Sequence, residues 1–126
     1  MMAVVDSCGW LEYLANGRNA SFFEPALHDE ASLLVPGIVV YEVCRRLITL
    51  DQMRAMESVL QVMERCVCVS LNPRQMQQAA LAAKRYQLAM GDAIIWQTAQ
   101  AHKAQLFTQD ADLKGLPSVK YIARKP

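Results

Sequence analysis

Short, wholly apolar runs alternate along this chain with longer segments whose apolar residues recur every three or four positions. Ala3-Val4-Val5 predicts a buried strand, and Trp10, Leu11 and Leu14 after it predict a helix. Asn16-Gly17 and Asn19 mark a turn, after which Ser21 and Glu24 have capping-box spacing for a short helix to about Leu27. Ser32–Val35 is a second apolar strand closed by Pro36-Gly37, and Ile38–Ile48 reads as a helix with Ile38, Tyr41, Val43, Cys44, Leu47 and Ile48 along one stripe. Asp51 has the chemistry of an N-cap for a helix from Gln52 to about Arg65. Cys66–Leu71 predicts a third strand, and Asn72-Pro73 a strongly marked helix start, with that helix running to about Tyr86. Met90-Gly91-Asp92 opens the next helix, Ala104–Thr108 is a fourth strand, and Val119–Ile122 is a candidate fifth.

Apolar strands alternating with helices imply βαβ units and a parallel sheet of four to five strands with helices on both faces. The fold class is therefore α/β, an α/β/α sandwich. A chain of 126 residues fits one domain, 1–126, and can bury roughly two-thirds of the surface its unfolded form exposes. Its 53% hydrophobic and 20% charged content argues against disorder. The balance of 13 basic against 12 acidic residues does not favour a non-specific polyanion binder, but it leaves room for a local basic rim. No secretory leader or bilayer-spanning run is expected. Cys8, Cys44, Cys66 and Cys68 match no zinc spacing, and neither His28 nor His102 has a partner at ligand spacing. Reduced core thiols in a cytoplasmic protein are the expectation.

The chemistry lies in where the carboxylates fall. Right-handed crossovers send every strand of a parallel sheet out at one rim, which is where open α/β sheets place their ligand crevice. Asp6 directly follows the first strand, and Asp110 and Asp112 follow the fourth, with Thr108 just before them. Glu42 lies in the second turn after the second strand, and Asp92 opens the helix leading into the fourth. Each has a plainer explanation: Asp92 as a helix N-cap, Asp110 in an Asx-turn, Glu42 paired along its helix with Arg45 or Arg46. Asp6 resists one, because a carboxylate ending a buried strand needs a partner. Carboxylates converging from distant segments repel one another unless a cation holds them. Hard oxygen donors suit Mg²⁺ or Mn²⁺, and the chemistry such a site serves is phosphodiester hydrolysis.

These residues resemble the PIN-domain family, and within it the VapC-type toxins of bacterial toxin–antitoxin pairs. The resemblance spans the chain through VVDSCGWLEYL, VPGIVVYEV around Glu42, and MGDAIIWQTAQAHKAQLFTQDADL. It implies a PIN-like α/β/α sandwich, Mg²⁺- or Mn²⁺-dependent endoribonuclease activity on RNA, an antitoxin protein as partner, and a homodimer. The family's acidic site falls on Asp6, Glu42, Asp92 and Asp110, with Asp112 auxiliary and Ser7 and Thr108 supporting. One departure stands out: Cys8 occupies a position where the family usually has Ser or Asn, and a thiol is the poorer hydrogen-bonding group.

Two other α/β families with an Asp after the first strand fail on named residues. Haloacid-dehalogenase-type phosphatases need a second Asp where Cys8 stands. Receiver domains need an acidic pair at the first strand and an Asp ending a later one, where this chain has Ser70-Leu71-Asn72. An inactive PIN-like binding module is the remaining alternative. Arg45, Arg46, Lys84, Arg85, Lys103 and Lys114 are the basic residues available to RNA phosphates, and Trp10 and Trp96 read as core. The helices Ile38–Ile48 and Gln52–Arg65 offer apolar faces to a partner or a second copy, or simply cover the sheet.

Overall fold

The computed structural model describes residues 1–126. In chain order the elements are β1 (Ala3–Val5), α1 (Ser7–Leu14), α2 (Ala20–His28), β2 (Leu33–Pro36), α3 (Gly37–Thr49) and α4 (Met53–Arg65). They continue with β3 (Val67–Val69), α5 (Pro73–Tyr86), α6 (Met90–Ala101), β4 (Gln105–Thr108), a single 3-10 turn (Ala111–Leu113) and β5 (Val119–Tyr121). The strands form one five-stranded sheet in the order β3-β2-β1-β4-β5. Every pairing is parallel, with Val4 opposite Leu34 on one side and Leu106 on the other. The α/β/α architecture expected from the alternating pattern is therefore present, fifth strand included.

Strand order explains where a site can form. From β1 the chain steps outward to β2 and β3, then returns across the sheet to β4 on the other side of β1. Right-handed crossovers place α1–α4 on one face and α5–α6 on the other, so β1 and β4 flank the switch point. Val4, Val5, Leu33, Leu34, Val35 and Leu106 are buried between the layers. Trp10 and Trp96 also belong to the core. No helix is long and apolar enough to cross a membrane.

Some local expectations need correcting, each for a tertiary reason. Ser21 does not cap α2, which begins at Ala20. Asn19 precedes the helix, but its side chain donates to Gln109 Oε1 (2.9 Å) and the Ala123 carbonyl (3.0 Å). Asp51 does not cap α4 either; it takes a left-handed turn conformation (φ 57°) between α3 and α4, and Gln52 precedes the helix. The α3 stripe is rotated from its expected position: Val39, Val43 and Leu47 are buried, while Tyr41 and Ile48 face solvent. β3 is shorter than Cys66–Leu71 and lies at the sheet edge, with Val67 and Cys68 exposed. The four cysteines are free, but none is fully buried, so they are not core thiols. At α5 the local code does hold: Asn72 and Gln75 form a reciprocal capping box ahead of Pro73.

Candidate active site

Asp6 ends β1 and caps α1. Its Oδ1 accepts from Gly9 N–H (3.0 Å) and from the Cys8 thiol (2.9 Å), and its Oδ2 accepts from the Thr108 hydroxyl. Only 3% of the residue is exposed, and burial pushes its carboxyl above the ordinary range against the pull of these hydrogen bonds. The helix can lie this close to Val5 and Phe23 because residue 9 is glycine. A Cβ there would lie 2.6 Å from Val5 Cγ1 and 2.8 Å from the Phe23 ring. The buried carboxylate thus has the partners that its position requires.

Thr108, at the end of β4, links Asp6 to the neighbouring loop. Its hydroxyl donates to Asp6 and accepts from Asp110 N–H (2.9 Å). Asp110 in turn caps the 3-10 turn, its Oδ1 accepting from Asp112 N–H (2.9 Å). The Asx-type role is real, and the same carboxylate also reaches the cluster. Asp92, Asp110 and Asp112 each present an oxygen within 4.8 Å of the others. Asp92 sits inside the first turn of α6, and Ala89 occupies the cap position, so Asp92 is not the N-cap. Burial, reinforced by the charge of Asp110 beside it, pushes the Asp92 carboxyl up to about 7.

Glu42 arrives from α3 and stops beside this group. It forms no ion pair with Arg45 or Arg46; the chain's two ion pairs are His28–Glu24 and Arg65–Glu30. Instead its carboxylate lies against Gly91, where an added Cβ would fall 2.6 Å from Oε2. Ser7, next to Asp6, lines the same basin as Glu42. The fold therefore brings every expected residue to one rim, but in an unequal arrangement. Asp112, expected only as an auxiliary, belongs to the tight trio, whereas Asp6 is joined to it through Thr108 and Glu42 lies against Gly91, next to Asp92. Sequence reasoning missed Gly91, whose only signal was a glycine directly before an acid at a helix start.

The donor set fits a hard divalent cation: all carboxylate oxygens, crowded, with no Lys or Arg paired to them. Asp6 contributes less openly. Its Oδ1 already accepts two hydrogen bonds, while Oδ2 accepts one and keeps a lone pair free.

Fold and site together define an α/β domain with a carboxylate cluster at the switch point of a parallel sheet. Residues 3–118 match the PIN domain family, and the chain belongs to it. No curated protein matches by sequence. Among solved structures, the chain is similar to one from a toxin–antitoxin complex of Klebsiella pneumoniae (21% identity, 94% of this chain and 95% of that one, TM-score 0.79). It is also similar to Mycobacterium tuberculosis VapC20, described as a Sarcin-Ricin loop cleaving toxin (14% identity, 98% and 99% covered, TM-score 0.76). A third is VapBC2 from Rickettsia felis bound to a DNA fragment from its promoter (13% identity, 98% of each chain, TM-score 0.70). At these identities the likeness speaks to the fold.

Proposed function

We propose that this protein is a Mg²⁺- or Mn²⁺-dependent endoribonuclease acting as the toxin of a toxin–antitoxin pair, with residues 1–126 working as one cytoplasmic catalytic domain. The observation that carries this reading is the convergence of Asp92, Asp110 and Asp112, linked through Thr108 to the anchored Asp6, without a compensating side-chain cation. Asp92, Asp110 and Asp112 are the residues to hold the ion directly, with Asp6 and Glu42 completing its surroundings. When bound, the ion supplies a water acidic enough to act as nucleophile and positive charge for the leaving oxygen. The chain's own residues set the geometry. Thr108 ties Asp6 to the Asp110 loop, Cys8 and Gly9 fix the plane of the Asp6 carboxylate, and Gly91 lets Glu42 approach α6. Second-sphere contacts of this kind orient metal ligands.

Support for the partner comes from the relatives and from the surface. Similar structures are described as toxin–antitoxin complexes, and one relative as a toxin that cleaves the Sarcin-Ricin loop. On this chain, a groove of about 850 Å³ runs between α1 and the α3–α4 hairpin, lined by Leu11, Leu14, Leu47, Leu50 and Ala55. A smaller hollow beside it shares Leu14 and Ser58 and is lined by Trp10, whose buried indole N–H has no partner. An amphipathic antitoxin segment offering apolar anchors suits this surface. A homodimer accords with family membership.

The test is cleavage of structured RNAs by the purified protein, with and without Mg²⁺ or Mn²⁺, beside the Asp92→Asn variant. Metal-dependent cutting that the variant lacks is the expected result. No cutting of any of several RNA classes would overturn the reading and leave a binding module.

A further inference from the structure

A second feature of the rim lies on the α3 side of the acids. A basin of about 540 Å³ is bounded by Ser7, Ile38, Tyr41, Glu42, Arg45 and Met90. Two of its walls lead directly into the acidic site, since Ser7 follows Asp6 and Met90 opens the helix that carries Asp92. The core makes no use of its aromatic. α3 buries Val39, Val43 and Leu47, leaving Tyr41 64% exposed, and Met90 opposite is 73% exposed. Arg45, one helical turn from Tyr41 and on the same face, takes part in neither of the chain's ion pairs. Arg46, which also lines the basin, is likewise unpaired.

Resting on the ribonuclease reading above, we propose that this basin holds the nucleotide next to the scissile phosphate in an unpaired stretch of RNA. The base lies on the Tyr41 ring with Met90 at its edge, and the adjoining phosphate meets Arg45. Stacking on an exposed ring suits any base, because every base has a π-face. A base already stacked inside a duplex has no such face free, so the basin selects loops and single strands. The arginine also offsets the repulsion between the RNA backbone and the neighbouring carboxylates. Two arginines that form no ion pair, Arg45 and Arg46, line the basin beside a single carboxylate, Glu42. Charge therefore favours RNA as the occupant.

The experiment measures binding of a labelled single-stranded RNA in Mg²⁺ by anisotropy, with Asp92→Asn as the background so that the probe stays whole. Tyr41→Ala should raise Kd roughly tenfold, a loss in the range of one stacked base, and Tyr41→Phe should restore it to within about twofold. Replacing one nucleotide of the probe by an abasic site should cost the parent a similar factor and cost the Tyr41→Ala protein much less. Arg45→Ala should reduce the slope of log Kd against log salt by about one phosphate's worth. Equal affinity for parent and Tyr41→Ala would overturn the inference while leaving the nuclease reading intact. So would sedimentation showing that Tyr41→Ala converts a dimer to monomer, which would make this face a contact between copies. A parent that binds no RNA at all would also overturn the inference, while cleavage by the wild type decides the nuclease reading separately.

Discussion

Asp6 and Asp92 stand on the same rim, and burial raises the pKa of both, yet the chain holds them in opposite ways. Around Asp6 are donors: the Gly9 N–H, the Cys8 thiol and the Thr108 hydroxyl. Around Asp92 are further acids, Asp110 first among them. The anchored carboxylate has three donors from the protein, although burial still outweighs them. The crowded one is satisfied only by a proton or a cation. The contrast teaches which part of the site is scaffold and which part is waiting for a ligand, and the following substitutions break or sharpen it.

Removing the scaffold should have the largest effect. Thr108→Val deletes the hydroxyl that serves both Asp6 and the Asp110 N–H, leaving a buried carboxylate short of one donor. Stability is expected to fall by about 1–3 kcal/mol, and Mn²⁺ affinity by about 10–100-fold. Denaturant unfolding and calorimetric titration measure the two separately.

Gly91→Ala should come next. The added Cβ would occupy space now held by Glu42 Oε2, and because that atom ends a flexible side chain, the carboxylate should swing away without unfolding the helix. Mn²⁺ affinity is expected to fall about tenfold, at the lower end of second-sphere effects. Once Glu42→Gln is present, adding Gly91→Ala should cost little more, since both act on one group. Additive losses would show that Gly91 works by another route.

A smaller effect follows from proton linkage at Asp92. Unfolded, this carboxyl titrates near its ordinary 3.8; folded and metal-free, it keeps its proton up to about 7. Between those values the folded state binds more protons, so this group's contribution lowers stability as pH rises. Metal-free wild type should therefore lose Tm relative to Asp92→Asn between pH 3.8 and about 7, and saturating Mn²⁺ should remove the difference. A Tm gap independent of pH would show that Asp92 is not crowded as described.

The smallest effect is expected at Cys8. The thiol already donates to Asp6 at 2.9 Å, so the departure from the family's usual Ser or Asn replaces the donor without deleting it. Cys8→Ser should leave cleavage unchanged or raise it by about twofold, as a hydroxyl is the better donor. A clear loss of activity would assign the thiol a role beyond holding Asp6.

The parts of this architecture written locally were legible in the sequence. Apolar runs marked the strands, and Asp6, Asp92 and Asp110 were found because each adjoins a strand or helix end. Features set by distant contacts were not legible. Asn19, Ser21 and Asp51 all carry capping chemistry, but Asn19 is turned towards Gln109 and Ala123, while Asp51 is taken up by a turn. The α3 stripe was misplaced because Tyr41 and Ile48 suit a buried face as well as their neighbours do, and only packing against the sheet chooses Val39, Val43 and Leu47. Asp112 gained its place in the trio from a 3-10 turn, and Gly91 gained its importance from a side chain on another helix.

The central claim is that Asp92, Asp110 and Asp112 form a divalent-cation site next to an Asp6 anchored by three donors. Calorimetric titration of metal-free protein with Mn²⁺, beside Asp92→Asn, tests it most directly. Wild type should bind saturably, with affinity that strengthens from pH 6 to pH 8 (the range in which a carboxyl of pKa about 7 loses its proton), and the variant should not bind. Wild type that binds no Mn²⁺, or a variant that binds it equally well, would contradict the account.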